Sequence, residues 1–385
     1  MKKYLSLENL ISVIIIILPT YLIRFNIFSV PTNLLEVLMT SLIVVWLLKK
    51  KDKVAFLKKG VGVYKKYIFW VILIFLGLLI STLVNQNYTA GAGIIKGWFL
   101  FPIIFSAIAI TEVKKEKIFL SYFISSFVVA SLALGYFFLN LITFDGRLEA
   151  FFNSPNYLAM YLAPALIIGV GLYTRNKKIY GVALAIILVA FYLTFSYAAW
   201  ASVFIAIIIF LRLNKKIKLK AIGIVLGVAI LLFIFSQAGK NKYNDFSHFT
   251  ERSSLSSRTM VWKAAEKIIS DNWFLGIGPG NFQTKYLEYQ KYFPPYLEWA
   301  VPHPHNIFLS FWLQSGLAGL IGFLGLIYLR IKETSENVFN KNALATLSTA
   351  ILIYILIHGM VDTTYFKNDL AIVFWLFFFM GIKKF

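Results

Sequence analysis

Long apolar runs alternate with short polar segments along most of the chain. A helix that crosses the hydrocarbon core of a bilayer needs about 20 apolar residues, with a range of roughly 17 to 25. The first run follows Met1-Lys2-Lys3 but lacks the small-residue cleavage pattern of a secretory signal, so we expect it to be retained. The pattern therefore predicts an all-α integral membrane protein with about 12 transmembrane helices. We place them at residues 10–28, 33–48, 67–84, 92–110, 118–142, 157–173, 179–195, 197–213, 219–236, 306–329, 342–361 and 369–382.

The polar segment at 237–305 is far longer than any other. Loops of more than about 15 residues are usually functional or disordered, and the helix signals and Pro/Gly turns in this one argue against disorder. The predicted organisation is therefore helices one to nine at 1–236, a large and partly helical extracytoplasmic loop at 237–305, and helices ten to twelve at 306–385. We expect the chemistry to lie in or beside the loop.

The composition agrees with a membrane protein. Apolar residues make up 59% of the chain and charged residues only 14%, which excludes an ordinary soluble domain and a disordered chain. There is no cysteine, so a disulfide, a thiolate metal site or a catalytic thiol is impossible.

The formal charge of +21 is explained by topology. Most Lys and Arg residues fall in alternate short loops, with the densest group between Lys49 and Lys66, and such loops mark the cytoplasmic side. Both termini are then predicted to be cytoplasmic. No separate basic domain exists to follow a phosphate backbone, so we expect no nucleic-acid partner.

Arg258 is the first candidate for chemistry in the long loop. Residues 256–269 have the apolar period of a surface helix, and Ser256 or Ser257 is placed to cap it. Arg258 would then lie in the first turn, where the helix dipole disfavours a cation. A phosphate bound at that helix end would make the arrangement favourable, whereas a solvated Arg at a small cost is an equally good interpretation.

Asn272 to Phe282 contains three alternate glycines, at 276, 278 and 280. Neither a βαβ pattern nor a following Lys-Ser/Thr is present, so a tight turn is a better interpretation than a nucleotide-binding loop. Aromatic residues follow the turn and would either stack on sugar rings or, more commonly, anchor the loop at the membrane interface. They are Tyr286, Tyr289, Tyr292, Phe293, Tyr296 and Trp299.

His305 follows Pro304, and a helix beginning near that proline would place His305 in its first turn. A helix N-terminus opposes protonation, so the imidazole would be neutral and able to accept a proton as a general base. A structural or capping role is equally compatible with this position. His303 and His305 also suggest metal ligands, but further ligands of the usual kind are not evident nearby, and we expect no metal ion.

Other ionisable groups fall toward the same membrane face. Arg147 lies in a short outer loop, and Lys96 lies inside an apolar helix, where it either serves a function or extends to the interface. His358 and Asp362 are four residues apart and would pair on one helical face. Three cations, including Arg258, together with a base suit an anionic substrate such as a diphosphate at the outer leaflet.

Three passages of the sequence resemble one family, the O-antigen ligase and O-antigen polymerase superfamily of bacterial envelope enzymes. The predicted twelve-helix plan and the long outer loop before the tenth helix are also similar to this family. The passages are Arg147 with Asn153-Ser154-Pro155-Asn156-Tyr157-Leu158-Ala159; Arg258 with Trp262, Gly276-Ile277-Gly278 and Phe282; and His305-Asn306-Ile307-Phe308-Leu309 with Gly316 and Gly319.

The resemblance implies transfer of a glycan from undecaprenyl diphosphate to a sugar hydroxyl at the outer face of the bacterial inner membrane, with no metal ion or other cofactor. It implies that His305 assists the acceptor hydroxyl and that Arg258 holds the donor diphosphate. Lys96 and Arg147 are further candidates for the diphosphate, and the supporting residues would be Asn156, Asn306, His358 and Asp362.

The acceptor distinguishes the members of this superfamily. A ligase uses the lipid A-core of lipopolysaccharide, a polymerase uses another lipid-linked glycan, and related enzymes use a protein hydroxyl. We expect a ligase, with a polymerase as the alternative. A flippase for lipid-linked sugars is a more remote alternative, since inverted repeats and broken helices at the bilayer midplane are not evident.

The chain departs from the family pattern at two positions. Gln314 stands where a Glu is usual after the His motif, and Ser196-Tyr197 stands where many members have Ser-Arg. One arginine expected at the diphosphate is therefore missing, and Arg147 or Lys96 is predicted to replace it.

Overall fold

The structure is a computed structural model, and it describes residues 6–27, 30–49, 53–173, 177–214, 254–294, 299–339 and 342–382. The helix predicted at 219–236 and the first part of the long loop, residues 237–253, lie outside the described residues.

The described residues are mostly helical. The helices are α1 (Leu7–Ile16), α2 (Leu34–Lys49), α3 (Lys53–Val84), α4 (Tyr88–Ile94), α5 (Phe101–Glu112), α6 (Lys115–Phe138), α7 (Pro155–Tyr173), α8 (Lys177–Tyr192), α9 (Tyr197–Leu213), α10 (Ser254–Asp271), α11 (Phe282–Tyr289), α12 (Ile307–Phe339), α13 (Ala343–Gly359) and α14 (Asn368–Met380). A π-helix at Ile95–Leu100 joins α4 to α5, and short 3₁₀ helices lie at Leu18–Leu22 and Gln290–Tyr292. Strands β1 (Arg24–Ile27) and β2 (Val30–Asn33) form one antiparallel hairpin.

The prediction of a helix at 10–28 was wrong. The α1 helix ends at Ile16, a 3₁₀ turn containing Pro19 follows, and the chain then enters the β1–β2 hairpin. Proline removes a backbone donor and disfavours helix in the residue before it, which accounts for the early end. The all-α prediction therefore holds apart from one short hairpin.

The beginning of α3 also differs from the prediction. The helix starts at Lys53 instead of residue 67, because the lysine-rich segment that we assigned to a loop continues the helix.

Five segments of the described residues are long and apolar enough to cross a membrane. They are Tyr64–Val84, Tyr88–Glu112, Lys115–Phe138, Pro155–Leu172 and Ile307–Thr334. Large apolar side chains at helical spacing along α3 are exposed, including Ile72, Leu76, Leu79 and Leu83. Such a face suits a lipid environment, and a mostly helical membrane protein is confirmed.

The α3 and α12 helices pack closely through glycines. A side chain at Gly77 would collide with the backbone of Ser315, and one at Gly325 would collide with the ring of Trp70. Small residues at such positions let two membrane helices approach each other. Beside this pair, α14 is buried from Asp369 to Met380, so the residues just before it are held against the core.

The α12 helix is broken at Gly316, and the glycine turn after α10 fills the break. Gly316 has a φ of 64°, and the hydrogen bond that Leu317 N–H would make to the Leu313 carbonyl is replaced by two bonds to the turn. Ile277 N–H donates to the Leu313 carbonyl at 2.7 Å, and Leu317 N–H donates to the Phe274 carbonyl at 3.0 Å. The prediction of a tight turn is confirmed by positive φ at all three of its glycines.

The α10 and α11 helices share a small apolar core with this turn and with α12. Val261, Ala264 and Ile268 of α10 are buried in it, in agreement with the predicted helical period. Tyr286 is also buried there, so it is not available to stack on a sugar. This core fixes α10 against the beginning of α12.

Candidate active site

Asp362, in the segment between α13 and α14, lies at the centre of the site. Its side chain is only 2% exposed, and each carboxylate oxygen accepts two hydrogen bonds. Oδ1 accepts from His305 Nδ1 at 3.0 Å and from Thr363 N–H at 2.8 Å. Oδ2 accepts from Asn156 Nδ2 at 3.1 Å and from Arg258 Nη2 at 3.3 Å. One buried carboxylate thus joins four parts of the chain.

Asp362 is ionised at neutral pH. Burial raises the pKa of its carboxyl group, but the opposing influence of His305 and Arg258 is larger in sum, and the pKa is held well below its usual range. An ionised carboxylate can only accept hydrogen bonds. Nδ1 of His305 therefore donates to Asp362. Nε2 is then the ring nitrogen that can accept a proton from a substrate.

We predicted His305 in the first turn of α12, but the structure places it before the helix. The helix begins at Ile307, and the Asn306 side chain caps it by accepting from Phe308 N–H at 2.9 Å and Leu309 N–H at 3.1 Å. His305 precedes this cap with a φ of 48°, a left-handed conformation that is uncommon for a residue with a side chain. Its position is set by Asp362 and by the cap, and not by the helix dipole.

Arg258 is also further along its helix than predicted. The described part of α10 begins at Ser254, so Arg258 lies beyond the first turn, and its partner is the Asp362 carboxylate. Trp262, one turn later, donates from Nε1 to the His305 carbonyl at 3.3 Å. The same face of α10 therefore fixes both the guanidinium and the backbone of the histidine.

Arg147 reaches the cluster through Asn156 at the start of α7. Its Nη2 donates to Asn156 Oδ1 at 2.7 Å, and its Nε donates to the Thr194 carbonyl at 2.8 Å. Thr194 lies in the turn before Ser196-Tyr197, where the family pattern has an arginine. Arg147 thus brings a guanidinium to the turn that lacks one.

Lys96 is not brought to this cluster. Its Nζ pairs with the buried Glu36 at 2.8 Å and donates to the Pro31 carbonyl at 3.1 Å, so its charge is balanced in another part of the structure. Lys96 lies in the π-helix, and π-helical turns often occur near functional sites.

The predicted pairing of His358 with Asp362 is not observed. Regular helix in α13 ends at Gly359, before Asp362, so the two side chains do not share a helical face. His358 Nδ1 instead hydrogen-bonds the Tyr354 hydroxyl at 3.0 Å. His358 is therefore a buried residue whose hydrogen-bond partner is Tyr354.

His303 and His305, together with Asp362, place possible metal ligand atoms within 4.8 Å of one another. Both ring nitrogens of His303 are already hydrogen-bonded, Nε2 to the Tyr157 hydroxyl at 2.7 Å and Nδ1 to the Thr363 hydroxyl at 3.0 Å. Burial, with a smaller contribution from His305, lowers the pKa of His303 to about 3, so this ring is neutral. The donor set is used for a hydrogen-bond network, and a metal ion would have to break it.

Sequence reasoning missed the central place of Asp362 and the roles of Tyr157 and Thr363. Asp362 was predicted to pair with His358 and to be a supporting residue. The spacing of residues does not show that a segment after α13 meets the segment before α12. A polar Asp-Thr-Thr sequence between two apolar helices is the only signal of it.

Comparisons with known proteins agree with the motifs. Residues 182–324 match the model of the O-antigen ligase family. The chain is 27% identical over 206 residues to an O-antigen ligase of Salmonella typhimurium, covering 51% of this chain and 50% of that protein. It is 28% identical over 202 residues to a ComP-specific O-oligosaccharyltransferase of Acinetobacter baylyi, covering 50% of this chain and 35% of that protein.

The family model and the two relatives support a resemblance of this chain to the O-antigen ligase superfamily. The resemblance that the motifs predicted is thereby confirmed. The chain spans half or less of the length of these two relatives. The family match includes Arg258, Trp262 and His305, whereas Arg147, Asn156 and Asp362 lie outside the matched residues.

Proposed function

We propose that the chain is a membrane glycan ligase that transfers a glycan from undecaprenyl diphosphate to a sugar hydroxyl. The acceptor that we propose is the lipid A-core of lipopolysaccharide. The observation that carries this proposal is the buried Asp362 carboxylate, which holds the base His305 and the cation Arg258 together. The relatives, which are named as an O-antigen ligase and an O-oligosaccharyltransferase, support glycan transfer of the ligase type.

The reaction requires one proton acceptor and one site for a leaving diphosphate. Nε2 of His305 takes the proton of the acceptor hydroxyl as its oxygen forms a bond to the anomeric carbon of the donor. The bond between that carbon and the diphosphate oxygen breaks, and its electron pair leaves with undecaprenyl diphosphate. Asp362 keeps Nδ1 of His305 protonated and stabilises the imidazolium that forms, as a triad carboxylate does.

Two arginines are positioned for the negative charge of the leaving group. Arg258 and Arg147 both approach Asp362, directly or through Asn156, so the cluster has two guanidinium groups for one buried carboxylate. The exposed Asp145 carboxylate lies 4.0 Å from Arg147. Preorganised cations of this kind are effective where charge develops in a transition state. Arg147 also donates to the turn where the family arginine is missing, so we assign the donor diphosphate to Arg258 and Arg147 instead of Lys96.

The proposed location is the bacterial inner membrane, with both termini in the cytoplasm and the Asp362 cluster at the outer face. The distribution of Lys and Arg in alternate loops supports this orientation.

The test is reconstitution of the purified protein in liposomes with an undecaprenyl diphosphate-linked oligosaccharide, with and without a lipid A-core acceptor. Glycan size and carrier release are followed. Glycan on the core is the expected result, and an elongated carrier-linked glycan would replace the ligase with a polymerase. Movement of the lipid-linked sugar between leaflets without any product would contradict the proposal and indicate a flippase.

A further inference from the structure

A cavity of about 200 Å³ lies beside the Asp362 cluster. His303 and Pro304 form one side of it, and the ring centroid of His303 is 4.5 Å from that of His305. Small-molecule sites combine apolar walls with a few precisely placed polar groups. The position of this small cavity therefore suits one group of a substrate that reacts at His305.

Two cations line this cavity, Lys367 before α14 and Arg24 in the β1–β2 hairpin. Among the described residues, no carboxylate oxygen lies within ion-pair distance of either side chain, whereas Arg258 and Lys96 each have one. The cavity therefore has positive charge that the described part of the protein does not neutralise by direct contact.

Lys367 is held in place by aromatic residues. Its Nζ lies 3.1 Å from the ring centroid of Tyr157 and 3.4 Å from the hydroxyl of Tyr21. The Tyr157 hydroxyl bonds His303, so one tyrosine fixes both the cation and the cavity wall next to His305. Burial lowers the pKa of Lys367 to about 8, Arg24 acts in the same direction, and Asp369 opposes them. An anion bound here would relieve this cost of keeping the ammonium charged.

The remaining walls include the aromatic residues Trp98, Phe282 and Phe366, together with the polar residues Ser310, Gln314 and Asn368. Flat apolar rings beside a few fixed charges suit a sugar ring that carries an acidic substituent. We propose that this cavity is the acceptor subsite and that it binds a sugar with an anionic group, a carboxylate or a phosphate, through Lys367 and Arg24. The proposal rests on the proposed function in assigning the bound sugar as the acceptor.

The donor diphosphate is assigned to a different position. Arg258 and Arg147 gather around Asp362, while Lys367 lies beyond the Tyr157–His303 hydrogen bond. His303 lies between the two cation pairs and next to His305. An acceptor in the cavity and a donor at the arginines would thus meet at the base.

The test measures the binding of three disaccharides that differ only at C6 of the terminal glucose, which carries a hydroxyl, a carboxylate or a phosphate. Affinities of the full-length protein are compared for wild type, Lys367→Met and Lys367→Arg, with Lys285→Met as the control. Lys285 is an exposed lysine on α11 that pairs with the surface residue Glu288. Kinetics of transfer to the same sugars give kcat and the KM of acceptor and donor.

We expect Lys367→Met to weaken binding of an acidic disaccharide by about tenfold or more, as loss of a charged hydrogen bond does. Binding of the neutral sugar and the donor KM should stay unchanged, and Lys367→Arg should retain most of the affinity. A preference for the carboxylate or for the phosphate then identifies the anionic group.

The proposal is overturned if wild type binds the three sugars equally, if Lys367→Met weakens all three alike, or if it raises the donor KM instead. Wild-type protein that binds acidic sugars but transfers no glycan would contradict the proposed function and leave the subsite standing.

The pH dependence gives a second readout. Lys367 is protonated at pH 7 and loses its proton as the pH rises through about 8, so the affinity of wild type for an acidic sugar should fall over that range. Arginine stays charged, so Lys367→Arg should not show this fall. If the affinity falls equally in both proteins, deprotonation of Lys367 is not the cause of the fall. The cause would then be the titration of another group that faces the ammonium. Those groups are Tyr21, Arg24, Tyr157, His303, Asp362 and Asp369.

Discussion

At the scale of single residues, the hydrogen-bond capacity of one carboxylate organises the site. Asp362 accepts four hydrogen bonds, from His305, Thr363, Asn156 and Arg258, so each of its lone-pair directions has a donor. Replacement of any one of these donors leaves a buried carboxylate oxygen with one hydrogen bond fewer to offset the cost of its desolvation.

Asp362→Asn tests the orientation of His305. The amide keeps the size of the side chain, but its NH₂ group must face either the histidine or the Arg258–Asn156 pair, all of which donate. We expect kcat to fall by about 10²- to 10⁴-fold, in the range seen when a triad carboxylate is neutralised, with a smaller change in the donor KM.

The matched control is Asp271→Asn, which removes an exposed carboxylate that pairs with Lys267 on α10. Equal kcat in Asp362→Asn and in this control would show that the carboxylate does not position the base.

Arg258 is tested by replacement with lysine and with alanine. Its guanidinium can contact Asp362 through Nη2 while its other donors face a diphosphate, a geometry that an ammonium cannot reproduce. Arg258→Ala should abolish measurable transfer, and Arg258→Lys should retain a small part of it, with kcat/KM for the donor reduced by roughly 10²-fold.

Lys263→Ala, at an exposed position of the same helix, serves as the control for loss of a positive charge. Near-wild-type kcat/KM in Arg258→Lys would show that transfer needs only a positive charge at this position and not the several donors of the guanidinium.

The sequence identified His305 and Arg258 as candidates, but the physical reason it offered was only partly correct. Both were expected at helix N-termini, whereas His305 precedes the cap of α12 and Arg258 lies beyond the first turn of the described α10. Their common partner Asp362 is 57 residues from His305 in the chain and 104 from Arg258. Contacts over such separations are not encoded in local periodicity.

At the scale of elements, the break in α12 couples the glycine turn to the site. The turn supplies the two hydrogen bonds that the helix loses at Gly316, and α10 leads directly into that turn. The position of Arg258 and Trp262 on α10 therefore depends on how closely the turn approaches α12.

Gly276→Ala tests this coupling. Gly276 has a φ of 69°, and a Cβ there would collide with the carbonyl groups of Leu313 and Trp312. Left-handed strain alone costs of order 1 to 3 kcal/mol, so we expect a clear decrease in melting temperature together with a lower kcat.

Gly135→Ala is the control, because this helical glycine in α6 has open space where a Cβ would be and a normal φ. It should leave the melting temperature unchanged or slightly higher. A Gly276→Ala protein as stable and active as this control would contradict the coupling.

At the scale of the whole molecule, the apolar pattern predicted the class of fold because membrane helices must satisfy their backbone groups internally and are therefore long and continuous. The predicted boundaries of α9 agree with the structure, whereas α1 is cut short by Pro19 and its 3₁₀ turn. The β1–β2 hairpin was missed because four-residue strands without alternating burial leave little signal in a sequence. That hairpin supplies Arg24 to the cavity beside the site.

The central claim is that His305, held by Asp362, is the base of a glycan transfer. The most direct measurement compares wild type with His305→Ala in liposomes, with carrier release followed as a function of time and donor binding measured in parallel. We predict that His305→Ala binds the donor with unchanged affinity and transfers glycan at least about 10²-fold more slowly, since general base catalysis contributes roughly 10²- to 10⁴-fold. Transfer at the wild-type rate by His305→Ala would contradict the account.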